Sequence, residues 1–176
     1  FDVARALDRC PLPRGERVGI VTNAGGPAIM ATDACVNLGL EIAGLSPATS
    51  AALRAFLPAS ASTVNPVDMI ASATAEQYGR TLAAVLADDG VDGALVINVT
   101  PLLADPDDVL EAVAQAAQGS AKPVLAVMMA EEGFYERLKE RADLPPVYRF
   151  PESAARAFQQ LARYAVIIED HYGRPM

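Results

Sequence analysis

The chain has 176 residues, 52% of them apolar, no Trp, a formal net charge of −8 and a pI near 4.6. That composition suits one domain with a substantial core and excludes a disordered chain. The acidic balance argues against nucleic-acid partners and against docking on anionic membranes. No apolar run is long enough to span a bilayer. The first residues read as an amphipathic helix, not a signal peptide, and the absence of an initiator Met suggests a piece of something longer. Cys10 and Cys35 sit in different elements with no His nearby in sequence. The expectation is a reduced, cytoplasmic protein without a thiol nucleophile.

In chain order, a short helix over residues 1–10 is stopped by Pro11, Pro13 and Gly15. Val18, Ile20 and Val21 predict a buried strand. Residues 23–26 predict a sharp glycine turn, and Pro27 the first position of a helix over 27–38 closed by Gly39. A second strand is expected over 40–45. Ser46-Pro47 then opens a helix that ends before Pro58. Residues 64–70 read as a short extended piece, Thr74 as the cap of a helix over 75–87, and residues 93–99 as a buried strand. Asp105-Pro106 starts another helix, with Asp107 and Asp108 at its positive end. A strand over 122–129, a polar helix over 131–141 and a long helix from 151 to about 169 complete the pattern.

Strand and helix alternate throughout, which predicts an α/β fold: a flavodoxin-like three-layer sandwich with a mostly parallel sheet. The expected boundaries are an N-terminal helix and linker over 1–14, the domain over 15–170 and a tail over 171–176. Ligands in such sheets bind beyond the carboxyl ends of the strands, so the loops at 23–26, 65–68 and 100–104 should converge.

The turn at Asn23, Ala24, Gly25 and Gly26 offers free N–H groups at a helix start, suited to phosphate, carboxylate or thioester oxygen. It matches neither the Gly-x-Gly-x-x-Gly dinucleotide fingerprint nor a Walker loop, so NAD or ATP held by this domain alone is disfavoured. Asn65 can donate to a substrate oxygen, and Asp68 can accept from a loop N–H or orient a partner. Equally, both can serve only the local backbone. Thr100 stands where a catalytic loop would, or in an ordinary connection. His171 reads as a tail residue. No Ser-His-Asp set and no metal-ligand spacing is present. FMN is disfavoured, because the first loop lacks a Ser/Thr-rich phosphate cradle and no Trp can stack on a flavin. The domain therefore reads as part of a site completed by another domain.

Val21-Thr22-Asn23-Ala24-Gly25-Gly26-Pro27, Asn65-Pro66-Val67-Asp68 and the loop after Val99 resemble the NDP-forming acyl-CoA synthetases, across residues 1–169. The match is to the C-terminal flavodoxin-like ligase-CoA domain, the counterpart of the C-terminal domain of the succinyl-CoA synthetase β subunit. The resemblance implies neighbours: a CoA-binding domain, a first flavodoxin-like domain and an ATP-grasp module. It implies CoA, ATP/ADP and Mg in the complete enzyme, and an acyl phosphate and a phosphohistidine received between two helix N-termini. Asn23, Ala24, Gly25 and Gly26 then border the acyl and phosphoryl site, supported by Asn65, Asp68 and Thr100. Residues 100–103 replace a Gly-Gly-Ile helix start of succinyl-CoA synthetase, which puts succinate in doubt. The family's phosphohistidine lies in a Ser-His-Thr-Gly-like segment that this chain lacks and His171 does not match, so the resemblance implies an inactive domain when alone. The same architecture is also fused to an acetyltransferase domain in bacterial protein-lysine acetyltransferases, where it looks regulatory.

Overall fold

A computed structural model describes residues 1–100, 104–138 and 141–173. The helices are α1 (Asp2–Arg9), α2 (Gly25–Asn37), α3 (Pro47–Arg54), α4 (Ala75–Leu86), α5 (Pro106–Ala117), α6 (Glu132–Arg137) and α7 (Pro151–Tyr172). The strands are β1 (Arg17–Thr22), β2 (Glu41–Ile42), β3 (Val67–Asp68), β4 (Gly93–Val99), β5 (Val124–Met129) and β6 (Val147–Tyr148). All pairings are parallel, in the order β2-β1-β4-β5-β6, with β3 also on β1. This is the flavodoxin-like order, with β2 and β3 together filling one strand position.

Two cores flank the sheet. Val18, Ile20, Leu95, Ile97 and Val127 pack with α1, α2 and α7 through Ala6, Cys35, Phe158 and Leu161. Val21, Val67, Val96 and Met128 pack with α3 to α6 through Leu53, Leu82, Leu110 and Phe134. The central strands are apolar toward both layers, as a strand covered on two faces must be.

Local chemistry starts several helices. Ser46 accepts from the Thr49 N–H, with Pro47 in the first turn of α3. Thr74 and Gln77 form a reciprocal capping box on α4. Asp105 accepts from the Asp107 N–H ahead of Pro106. Gly39, at φ 82°, follows α2 in the left-handed region that favours glycine.

Five expectations need correction. Helix α2 begins at Gly25, so Pro27 is its third residue and not its first. The turn needs no left-handed glycine, since neither Gly25 nor Gly26 has a positive φ. The second strand is only Glu41–Ile42, because past Ala43 the chain leaves the ladder for the Ser46 cap, whose N–H donates to Asp88 at 2.8 Å. His171 is not in a tail: α7 continues to Tyr172, and the His171 Nδ1 lies 2.9 Å from the Ile167 carbonyl oxygen. The polar helix is also shorter than expected, Glu132–Arg137.

Candidate functional site: the carboxyl ends of β1 and β4

The chain crosses from one side of the sheet to the other between β1 and β4, and their carboxyl ends form the crevice where such folds take ligands. Asn23 continues β1 by one residue and is buried. Its Oδ1 accepts from the Val99 N–H at 3.0 Å, and its Nδ2 donates to the Val99 carbonyl at 3.2 Å. The side-chain amide thus copies a peptide and adds one rung beyond the last backbone pair, Thr22 with Ile97. The buried Thr22 Oγ1 accepts from the Ala24 N–H at 3.1 Å and so consumes that donor.

Helix α2 follows at once. No side chain caps it, and Ala28 N–H closes the first turn on the Ala24 carbonyl at 3.2 Å. The first N–H groups of a helix have no intrahelical partner. Pro27 has none to offer, which leaves Gly25 and Gly26, both exposed, as the two donors without a partner among the described residues. Among the described residues, nothing lies within 4 Å of the place a Cβ on Gly26 would take.

Asn65 does a different job from the donor expected of it. It lies in the gap between β2, which pairs with the start of β1, and β3, which pairs with its end. Its Oδ1 accepts from the Ile20 N–H at 2.8 Å, while its Nδ2 donates to the carbonyls of Val18 at 2.8 Å and Ala43 at 2.9 Å. The amide stands in for the missing strand residue. The Asn65–Pro66 peptide that follows is cis.

Asp68 ends β3 beside α2. Its Oδ1 accepts from the Ile70 N–H at 2.9 Å, and its Oδ2 lies 3.4 Å from where a Cβ on Gly25 would stand. Ile70 has φ 65°, a strained setting for a β-branched residue. Thr100 is held to the end of β5, its N–H and Oγ1 both donating to the Met129 carbonyl at 3.2 and 3.1 Å. Pro101, Leu102 and Leu103 lie outside the described residues.

One buried pair escaped the sequence reading. The Tyr78 hydroxyl donates to the Ile97 carbonyl at 2.9 Å and accepts from Asn98 Nδ2 at 3.2 Å. Burial pushes the Tyr78 hydroxyl well above its usual range, so it stays protonated. Asn98 Oδ1 is buried without a partner among the described residues. The signal was a lone Asn in the otherwise apolar run from Gly93 to Val99.

The structure thus brings together Asn23, Ala24, Gly25, Gly26 and Asp68, places Thr100 on the neighbouring strand end and sets Asn65 further back along β1. Burial pushes Cys35 up to about 12 and Cys10 up to about 11, so both thiols are protonated near neutrality. Among the described residues, no three His, Cys, Asp or Glu side chains gather as a metal site would require. No described helix is long and apolar enough to cross a membrane.

The chain is similar to known proteins over most of its length. It is 42% identical, over 94% of its residues, to the alpha subunit of acetate–CoA ligase [ADP-forming] II from Pyrococcus furiosus, and spans 37% of that protein. It is 29% identical, over 99% of its residues, to 4-hydroxybutyrate–CoA ligase [ADP-forming] from Nitrosopumilus maritimus, and spans 25% of it. Among solved structures, it superposes with a TM-score of 0.86 and 27% identity on dinucleotide forming acetyl-coenzyme A synthetase 1 of Ca. Korarchaeum cryptofilum, in complex with phosphate and ADP. That superposition covers 99% of this chain and 39% of the other. Residues 18–141 match the Ligase-CoA domain model, and the chain belongs to that family.

Proposed function

We propose that this chain is a module of an NDP-forming acyl-CoA synthetase, the enzyme that interconverts acyl-CoA, ADP and phosphate with carboxylate, CoA and ATP. Its share is the start of α2, where the Gly25 and Gly26 N–H groups receive an acyl or phosphoryl oxygen. The observation that carries this reading is the uncapped, exposed glycine start of α2 at the sheet's crossover point. Two amide donors and the positive end of a 13-residue helix favour an anion there. In this reading Asn23 and Asn65 are positioning residues. They fix the strand ends from which the α2 start is aimed, and their amides are engaged by backbone. Asp68 and Thr100 shape the flank.

CoA, nucleotide and Mg belong to other parts of the complete enzyme in this reading. The named tip residues include no Lys or Arg to hold a polyphosphate. A phosphorylated His would come from a segment outside residues 1–176. The neighbours are the CoA-binding, first flavodoxin-like and ATP-grasp modules. The ADP-forming ligases to which the chain is similar support this reading over that of an acetyltransferase-fused regulator.

Gly26→Asp in the complete enzyme tests it. The Cβ meets open space, and an acidic residue in the first turn suits the helix, so the melting temperature should hold or rise slightly. The Gly26 N–H remains, but the carboxylate takes the place of the incoming anion and repels it, an effect of the order of one donor in such a site, roughly 2.7–4 kcal/mol. Acyl-CoA-dependent ATP formation should fall at least about a hundredfold. Near-normal turnover would overturn the assignment.

A further inference from the structure

Four of the chain's 14 basic residues line one groove of about 530 Å³ beside β6. The chain carries a net charge of −8, so the gathering runs against its overall charge. Arg5 and Arg9 come from α1, one helical turn apart and so on one face. Both reach across the groove. Arg5 Nη1 donates to the Val147 carbonyl at 2.9 Å, and Arg9 Nη1 to the Arg141 carbonyl at 3.1 Å. Arg141 and Arg149 stand on the far wall.

The two pairs are not equivalent. Arg149 is held by both oxygens of Glu132, at 2.7 Å each, and its guanidinium lies 3.9 Å over the Tyr135 ring. Arg141 meets Glu111 and Asp143, each at 2.7 Å. Arg5 and Arg9 have the two carbonyls instead, and among the described residues no carboxylate pairs with either. Asp2 is the one carboxylate in the described lining, and Asp143 feels the Arg9 charge. Like charges one turn apart repel along a helix. Arg9 gains in return from the negative end of α1; Arg5, in mid-helix, does not.

A guanidinium fork matches phosphate oxygens, and two forks a turn apart match two phosphoryl groups. The rest of the lining is largely apolar and aromatic, with Tyr135, Leu144 and Phe150, the last 55% exposed. A cavity of this size, with a few charged groups set in an apolar wall, suits a small molecule. We propose that this groove binds a nucleoside diphosphate, with the phosphoryl groups on Arg5 and Arg9 and the ring on the wall that carries Phe150. Free ADP and the adenosine diphosphate part of CoA share that chemistry. The groove lies on β6, with β5 between it and β4. Its occupant is therefore an effector and takes no part in the acyl or phosphoryl transfer proposed above.

Modification of the complete protein with phenylglyoxal, which attacks guanidinium groups, tests this when read residue by residue by mass spectrometry. Without nucleotide, Arg5 and Arg9 should react about as fast as Arg54, which is exposed at the end of α3. ADP and CoA are the probes, since the relatives of the chain are ADP-forming CoA ligases. Either one at saturation should slow Arg5 and Arg9 at least about fivefold and leave Arg54 unchanged, and the one that does so at lower concentration is the ligand's source. Adenosine, without phosphate, should not protect. Phe150→Ala should raise the nucleotide concentration for half protection about tenfold, as loss of a stacking ring does. Arg5 and Arg9 inert without nucleotide would overturn the proposal, because another part of the protein would then fill the groove. So would protection by adenosine equal to that by ADP and CoA, no protection by either nucleotide, or an unchanged midpoint in Phe150→Ala. Gly26→Asp should leave the protection intact, so failure of this groove and failure of the α2 anion site are read separately.

Discussion

The Asp68 carboxylate lies beside the start of α2, with Oδ2 3.4 Å from the position a Cβ on Gly25 would occupy. The open end of the helix therefore already has one negative neighbour, held in place because the other oxygen, Oδ1, accepts from the Ile70 N–H. An arriving anion must share the helix end with it. Asp68→Asn keeps an acceptor for Ile70 and removes the charge. In the complete enzyme it should tighten binding of inorganic phosphate by about fivefold, the order of 1 kcal/mol expected between nearby charges in a watery setting. Asp68→Ala instead loses the tether on Ile70, which is then free to leave its strained φ, and should loosen the loop without that gain. Calorimetric titration of the two variants separates the charge from the tether.

Asn65 meets three backbone groups, two on β1 and one on the residue after β2, with one side chain. Asn65→Ala leaves the Ile20 N–H and the Val18 and Ala43 carbonyls without it. The Val18 carbonyl keeps the Ala43 N–H as a partner, so two groups are left unmet; such buried groups cost about 1–3 kcal/mol each, and the chain should lose about 2 kcal/mol or more in urea unfolding. Asn65→Asp should be nearly as costly, because a carboxylate would face two carbonyl oxygens. A change under 1 kcal/mol in both variants would mean that the rung is not needed.

Gly93 opens β4 with Phe158 of α7 packed over it. A Cβ there would stand 2.5 Å from Phe158 Cε2 and 2.8 Å from the Pro123 carbonyl oxygen. Backbone on one side and a buried ring on the other leave little room to yield. Gly93→Ala should cost about 1–3 kcal/mol by overpacking, read as a lower urea midpoint. Gly119, with open space around it, differs: its φ of 73° and not crowding would make Gly119→Ala unfavourable.

Asp88 makes stability depend on acid. Burial alone would raise its pKa, but the Thr49 hydroxyl and the N–H groups of Ser46 and Gly90, at 2.8 Å each, outweigh it and hold the carboxyl at about 2. A pKa lower in the folded than in the unfolded chain stabilises above the ordinary value of 3.8, and this is lost as pH falls toward 2. The advantage of the native chain over Asp88→Asn should therefore shrink by about 2 kcal/mol between pH 5 and pH 2. A pH-independent gap in chemical denaturation would refute it.

Local chemistry was the legible part of this molecule. Ser46-Pro47, Thr74 with Gln77, and Asp105-Pro106 each state a helix start within four residues, and the apolar run into Val99 states a buried strand. The start of α2 was misread because proline suits any residue of a first turn, so Pro27 could not mark which one. The shortness of β2 was hidden because the partners that take over past Ile42 are distant in sequence: Asn65 on the Ala43 carbonyl, 22 residues away, and Asp88 on the Ser46 N–H. Asn65 looked equally fit for ligand or backbone, and Asn23 read only as part of the glycine turn. Only the geometry decides, and it gives both amides to strand ends that no local pattern joins.

A helix start with proline in third place grips with two fingers. Gly25 and Gly26 can each take one oxygen, and the ring of Pro27 closes off a third. A flat carboxylate and a pyramidal phosphoryl group look alike to such a pincer. In the proposed function the choice between them would fall to whatever approaches from the far side, so swapping that opposing surface, with the pincer left as it is, would be the route to a changed acyl preference.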